Sequence, residues 1–394
     1  MKNYNIIVKE TSMKPATVFI VLLGVVSLFS DMTYEAARSI TGPFLAFLGA
    51  SATLVGFIAG LGEFIGYALR LFSGWLADRT GKYWSITIAG YLINLLSVPA
   101  LALVGGWQLA AMLIMAERAG KAVRTPSRDA MLSHATSQIG RGWGFGLHEA
   151  MDQIGAMLGP LIVAVVFYFH GGYREAFAVL LIPATLAIGI LIFARFLYPS
   201  PRELEISNLQ IQTKGLSKVY WIYLISVALN GAGYADFPLI AYHFKKVSMV
   251  SEQWIPVFYA MAMGIDALAA LIFGYFFDKK GLSILIFSVI ISAGFAPLCF
   301  LGGFYSALFG MLLWGVGMGA QESIMRATVA VLVPKQKRGT GYGVFNTGYG
   351  LFWFLGSTVL GLLYDFSVSA LVIFSVLLQL SSIPFLMRVR KMLH

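Results

Sequence analysis

The chain has 394 residues, of which 58% are hydrophobic and 12% are charged. A soluble globular protein of this length cannot bury so much apolar surface, so the composition excludes a soluble enzyme and indicates a membrane protein. The net charge of +10 would suit a nucleic-acid-binding protein, but the placement of the basic residues along the chain argues against that class.

Apolar segments that are long enough to cross a bilayer follow one another from Ala16 to Met387. A membrane helix needs about 20 mostly apolar residues, and the 42 glycines are typical of helices that pack closely in membranes. The sequence therefore predicts an all-α membrane protein with about twelve spans, numbered here in chain order: 16–48, 52–77, 84–104, 108–133, 142–168, 175–197, 218–242, 253–277, 282–302, 305–332, 340–364 and 368–387.

The segments between the spans are basic on one side of the membrane only. If the N-terminus is cytoplasmic, most of the lysines and arginines outside the spans lie on the cytoplasmic side, and the opposite side has Arg174, Lys245, Lys246 and little else. This distribution is the positive-inside pattern. We therefore expect an integral protein of the cell inner membrane with both termini in the cytoplasm.

A short motif occurs twice, about 200 residues apart. GWLADRTGK at residues 74–82 returns as GYFFDKKG at residues 274–281, and each copy ends one span and precedes another. Arg141 to Gly159 aligns with Arg338 to Gly356 at nearly the same offset. Several matches in one order indicate a duplication. We predict two six-span bundles, 1–197 and 218–394, joined by a polar cytoplasmic linker at 198–217, with a cavity between them.

The first copy of this motif resembles the signature between helices 2 and 3 of the major facilitator superfamily, although Tyr83 and Trp84 stand where that family has a further basic residue. The stretch from Gly155 to Pro160 resembles a signature of proton-coupled exporters, and Arg124 to Asp129 resembles a poorly characterised bacterial branch. The resemblance implies two pseudo-symmetric six-helix bundles, alternating access, and a cavity lined by spans 1, 4, 7 and 10.

The repeated turn is expected to act as a conformational latch on the cytoplasmic side. Asp78 ends span 2, where its carboxylate can face basic groups and helix N-termini of the other bundle. The alternative interpretation is that these are ordinary positive-inside charges. The candidate latch residues are Gly74, Asp78, Arg79, Gly81, Lys82, Arg128 and Asp278.

Several ionisable residues fall inside the predicted spans and share helix faces. Such residues cost at least about 2.5 kcal/mol at the bilayer centre, so they usually face a cavity or a partner. Span 1 carries Asp31, Glu35 and Arg38 on one face. The other groups are Asp236 with His243 in span 7, Glu322 with Arg326 in span 10, and Glu117, Lys121, Arg124 and Arg128 in span 4, with Arg118 on a flank.

These charges allow two interpretations. They can pair only to hold the bundle together, although buried ion pairs add little stability. Alternatively, carboxylates carry a proton while basic groups bind an anionic substrate, since the planar arginine fork suits carboxylates and phosphates. The candidate proton-coupling residues are Asp31, Glu35, Asp236 and Glu322, and the candidate substrate-binding residues are Arg38, Glu117, Arg118, Lys121, Arg124 and Arg326. Asp266 is the lone carboxylate of span 8 and is expected to be hydrogen-bonded, not catalytic.

The sequence contains no ATP-binding loop, zinc-type Cys/His spacing, nucleophile elbow or dinucleotide fingerprint. We therefore expect no enzyme activity, no cofactor and no metal. The expected function is proton-coupled secondary transport of a small organic anion by a monomer that interacts with substrate, protons and the lipid bilayer, and not with nucleic acid. Alternatives are a proton-coupled multidrug exporter, a siderophore or metal-chelate transporter, a lipid flippase of the same fold, and a membrane sensor.

Overall fold

The computed structural model describes residues 15–136, 141–199, 216–333 and 338–393. We call residues 15–199 the first half and residues 216–393 the second half. The described residues form helices and connecting turns, with no strand among them, as the sequence predicts. The helices are α1 (Pro15–Phe47), α2 (Ala52–Thr80), α3 (Tyr83–Ala100), α4 (Trp107–Thr136), α5 (Arg141–Tyr168), α6 (Tyr173–Val179), α7 (Leu181–Leu197), α8 (Lys218–Gly233), α9 (Phe237–Lys246), α10 (Trp254–Lys280), α11 (Ser283–Ser292), α12 (Phe295–Leu301), α13 (Phe304–Ala320), α14 (Arg326–Leu332), α15 (Arg338–Phe366) and α16 (Val368–Leu393).

Ten helical stretches of the described residues are long and apolar enough to cross a membrane. They correspond to ten of the twelve predicted spans. The other two spans are α4, which carries several charged residues, and α13 with α14, which a five-residue π-helical turn at Gln321–Met325 separates. Single-turn π segments often occur at functional sites. α4 therefore differs from the ten by its charged residues, and α13 with α14 differs by its π-helical interruption.

Span 7, expected over 218–242, is interrupted instead of continuous. α8 ends at Gly233, and α9 begins at Phe237 after Asp236, whose side chain accepts a hydrogen bond from the Phe237 amide at 2.8 Å. Pro238 lies in the first turn of α9, where a missing amide hydrogen leaves no helical bond unmade. The break places the Asp236 carboxylate at a helix start inside the bundle.

Both copies of the repeated motif end their helices at a glycine with positive φ, which favours glycine. Gly81 follows α2 at φ +67° and ψ +4°, and Gly281 follows α10 at φ +58° and ψ −144°. Each glycine amide donates to a carbonyl four residues earlier, at 2.8 Å, on Ala77 and Phe277 respectively. The repeated glycine therefore ends both helices, although the chain leaves the two glycines in different directions.

Glycines allow α1 and α5 to cross at backbone contact. A methyl group on Gly155 would lie 2.3 Å from the Leu28 carbonyl oxygen, and one on Gly159 would lie 2.4 Å from the Met32 carbonyl oxygen. Small residues at such crossings are typical of membrane helices. Close packing against α1 therefore accounts for both glycines and brings Asp31 of α1 next to α5.

Candidate functional site

A central cavity of about 630 Å³ lies between the two halves. The first half lines it with residues of α1, α2, α4 and α5, and the second half lines it with residues of α10, α13, the π segment and α15. The charged lining residues are Asp31, Glu35, Arg38, Glu63, Arg70, Arg118, Lys121, Arg124, Arg128, Asp129, Glu149, Asp152, Asp266 and Glu322.

Most of the predicted site residues meet in this cavity. Asp31, Glu35 and Arg38 line it from α1; Arg118, Lys121, Arg124 and Arg128 line it from α4; and Glu322 lines it from the π segment. Asp236 and Glu117 are buried directly behind the lining. The side chain of Arg326 lies outside the described part of the structure, so its predicted role in binding stays a prediction.

Arg38 joins the two halves. Its Nη2 atom lies 2.8 Å from Asp236 Oδ1 of the second half and 3.3 Å from Glu63 Oε1 of α2. Glu63 also lies 3.5 Å from Arg118 Nη1, and Arg118 Nε lies 3.3 Å from Glu117 Oε2. These five side chains form a continuous buried network from α9 to α4.

Glu35 makes a second link between the halves. The Tyr259 hydroxyl of α10 donates a hydrogen bond of 2.5 Å to Glu35 Oε2. The other carboxylate oxygen lies 4.0 Å from Lys121 Nζ and 4.0 Å from Arg38 Nη1. Because Glu35 contacts both halves, its surroundings must change if the halves separate here.

The halves meet closely at the end of the bundle opposite the first residues of α1, which we call the far end. A methyl group on Gly42 of α1 would lie 1.8 Å from the Pro238 carbonyl oxygen of α9. The Thr53 amide and hydroxyl donate to Asp365 Oδ2 at 2.9 and 2.6 Å, and Lys245 donates to the Tyr173 hydroxyl at 2.9 Å. These contacts close the cavity at the far end.

The cavity opens toward the other end, where α1 begins and α2 and α4 end, which we call the near end. Asp129, near the end of α4, is 42% exposed, whereas Arg38 is 10% exposed. Gly74, Arg79, Gly81 and Lys82 lie at this near end. The structure therefore has a cavity that is closed at one end and accessible from the other.

Arg128 and Arg79, two of the predicted latch residues, contact groups of the first half. Arg128 pairs with Asp129 at 2.8 Å and donates to Ser27 at 3.1 Å. Arg79 is exposed, and its guanidinium lies 5.1 Å from the ring centroid of Trp75. The side chains of Asp78 and Asp278 lie outside the described part of the structure.

Arg124 is the arginine whose environment differs most from the others. It is 1% exposed, and its guanidinium stacks 4.2 Å from the ring centroid of Tyr91. One nitrogen, Nη2, donates to Ser30 at 3.1 Å, whereas Nε and Nη1 have no hydrogen-bond partner within the described residues. No carboxylate of the described residues lies within ion-pair distance of it, in contrast to Arg38 and Arg118.

Sequence reasoning missed Tyr259 and did not place Asp266 in the candidate site. Asp266 is 2% exposed and lines the cavity, and its Oδ1 atom has no hydrogen-bond partner in the described part of the chain. Tyr259 and Asp266 are seven residues apart and so share one face of α10. This seven-residue spacing was the sequence signal that could have placed the two residues together.

Comparisons with known proteins find similar sequences along most of the chain. The family model described as Major Facilitator Superfamily matches residues 21–357. An uncharacterized protein of Mycobacterium tuberculosis is 39% identical over 379 residues, which cover 94% of this chain and 93% of the relative. An uncharacterized MFS-type transporter of Methanocaldococcus jannaschii is 26% identical over 360 residues, which cover 88% of each chain.

The solved structure of the nucleoside transporter NupG has a similar arrangement of helices. It matches with a TM-score of 0.74 at 14% identity, covering 95% of this chain and 99% of that one. At this level of identity the likeness concerns the fold alone.

Proposed function

The chain belongs to the major facilitator superfamily and is a membrane transporter, and from this premise we propose that it moves a small organic anion across the inner membrane by proton-coupled alternating access. In this proposal residues 1–197 and 218–394 are two bundles that rock about the central cavity, and residues 198–217 link them in the cytoplasm. The observation that carries the proposal is the buried guanidinium of Arg124, which lies in the cavity wall without a carboxylate partner.

A buried cation without a counter-ion is costly, since the protein must replace the water that a charge loses. A carboxylate or phosphate of the substrate would supply both the charge and acceptors for Nε and Nη1 of Arg124. Lys121, one helical turn away, adds a second cation; its Nζ atom lies 3.8 Å from the Tyr34 ring centroid. The other candidate binding residues, Arg38, Glu117 and Arg118, act through the ion-pair network that fixes the wall around them.

Coupling to protons follows from the position of Asp31. Asp31 lines the cavity together with Asp152, Lys121, Arg124 and Glu35. A substrate anion on Arg124 competes with the Asp31 carboxylate for the same cations. Anion binding therefore favours proton uptake by Asp31 and links the two events. Protonation of Glu35 would also be linked to the conformation, because its side chain contacts both halves. Asp236 and Glu322 are the next candidates.

The positive-inside pattern supports cytoplasmic termini, and with that orientation the cavity opens to the cytoplasm. The latch would then be broken in this conformation and would form when the near end closes. Asp78, Arg79 and Lys82 would provide its charged groups.

The test is binding and proton movement by the purified chain in liposomes. Organic anions are compared with their uncharged amides by equilibrium binding, and bound anions are then added to liposomes that contain a pH-sensitive dye. The proposal expects anions to bind better than the amides and to drive proton flux that collapses with a protonophore. Equal binding of anions and amides, or anion binding without proton flux, would contradict it.

The carboxylates in the cavity wall favour a second candidate, a proton-coupled exporter of lipophilic cations. The same binding experiment separates the two candidates when cationic probes are included. Binding of cations with indifference to Arg124→Gln would favour the exporter.

A further inference from the structure

The two walls of the cavity carry different charge. Among the described lining residues, the first half contributes six arginine or lysine side chains and six carboxylates. The second half contributes two carboxylates, Asp266 and Glu322, and no cation among its described lining residues. The described lining therefore has more carboxylates than cations, and the excess lies on the second half.

Asp266 is the buried carboxylate in this wall. The carboxylates of Glu322, Glu149 and Glu35 line the same cavity, and so does Arg38. Arg38 already lies 2.8 Å from Asp236. The Oδ1 atom of Asp266 is therefore buried in the cavity wall without a donor among the described residues, as Nε and Nη1 of Arg124 are buried there without an acceptor.

Aromatic rings of the second half line the same cavity. Tyr349 and Trp353 lie one helical turn apart on α15, with ring centroids 5.6 Å apart, and Tyr67 of α2 lies 5.8 Å from Tyr349. Aromatic faces attract organic ammonium groups, and the attraction is stronger when water is excluded. The wall that lacks a described cation thus combines a buried carboxylate with aromatic faces.

We propose that the substrate is a zwitterion, in which an ammonium group binds at Asp266 while the anionic group binds at Arg124. This inference rests on the proposed function, because it uses the same cavity and the same anion site. It adds a second binding point on the opposite half, so that one ligand contacts both halves.

The experiment uses the purified full chain in nanodiscs and three matched sets of probes. These are ω-amino carboxylates of increasing chain length, the monocarboxylates of the same length, and the corresponding alkylamines. Dissociation constants are measured for the wild type, Asp266→Asn, Arg124→Gln and the control Glu175→Gln. Glu175 caps the short helix α6 at the far end, outside the cavity.

In the wild type, at least one zwitterion should bind about tenfold more tightly than its matched monocarboxylate, because it gains a hydrogen bond between charged groups at Asp266. Asp266→Asn should remove this preference and leave monocarboxylate binding unchanged. Arg124→Gln should weaken both, and Glu175→Gln should change neither.

Four other outcomes would contradict the zwitterion inference. If monocarboxylates bind as tightly as zwitterions and depend on Arg124 alone, the zwitterion inference fails and the anion transporter stands. If alkylamines bind best and Arg124→Gln has no effect, both proposals fail. The inference is also overturned if no probe binds the wild type, or if Asp266→Asn changes only the pH dependence of binding.

Discussion

Arg38 of α1 and Asp236, which caps α9, lie 2.8 Å apart and join the two halves at the closed end of the cavity. Both side chains are largely buried, and Asp236 also accepts a hydrogen bond from the Phe237 amide. The pair therefore ties α1 to the break in span 7. In a transporter that alternates between two open states, such a contact must form and separate in each cycle.

Replacing Arg38 alone should destabilise the protein more than replacing both partners. Arg38→Gln leaves the buried carboxylates of Asp236 and Glu63 with less compensation, a change that typically costs about 3–5 kcal/mol. The double variant Arg38→Gln with Asp236→Asn should recover part of this loss. The measurement is the thermal unfolding midpoint in one detergent for both single variants and the double variant. Strictly additive shifts would show that the two residues do not interact.

Gly42→Ala should open the far end. The new methyl group would lie 1.8 Å from the Pro238 backbone oxygen, so α1 and α9 must move apart. The reporter is Thr41→Cys, at a position that is buried in this structure. The background chain carries Cys299→Ser, so that an impermeant maleimide can label only the reporter cysteine. Labelling should rise several-fold. Gly189→Ala, where nothing lies within 4 Å, is the matched control. Equal labelling in both variants would contradict the closed far end.

Neutralising the proton carrier should uncouple transport without abolishing binding. We expect Asp31→Asn to remove the pH dependence of anion affinity while exchange down a gradient continues. Glu35→Gln should also weaken the Tyr259 contact, because an amide is a poorer acceptor than a carboxylate. The measurement is substrate affinity across a pH series in liposomes. An unchanged pH dependence in both variants would move the proton site to Asp236 or Glu322.

The latch predicts that Asp78→Asn favours the conformation that is open at the near end. Labelling of Asn346→Cys, a cavity-lining position, should increase and transport should fall, with little change in the unfolding midpoint. Asp365→Asn is the matched control, because it loses the Thr53 contacts at the opposite end and should shift labelling the other way. If Asp78→Asn changes neither labelling nor transport, the turn has no latch role.

The fold could be predicted because its signals are local. Apolar segment length gives the spans, and the repeated GWLADRTGK turn gives the duplication, since glycines with positive φ end both helices. The faces of spans 1 and 4 were also predictable, because residues three, four and seven apart share a helix face. Asp31, Glu35, Arg38, Lys121 and Arg124 all line the cavity as that spacing indicates.

The partners of these residues could not be predicted, because pairing depends on how distant helices pack. Arg38 and Arg124 are similar in sequence terms, yet Arg38 pairs with a residue 198 positions away and Arg124 stacks on Tyr91. The break before α9 was also missed, although Gly233, Asp236 and Pro238 are residues that favour a helix end and a new helix start. Asp266 looked isolated because its same-sign neighbours come from other helices.

The central claim is that Arg124 binds an anionic group of the transported solute. Its most direct test is to incubate the wild type and Arg124→Gln, both purified in nanodiscs, with the small-molecule extract of cells, and to identify the retained compounds by mass spectrometry. The account predicts that the wild type retains compounds with a carboxylate or phosphate, that Arg124→Gln loses them by about tenfold or more, and that Arg124→Lys recovers only part. Retention of cationic or uncharged compounds, equally by both proteins, would contradict it.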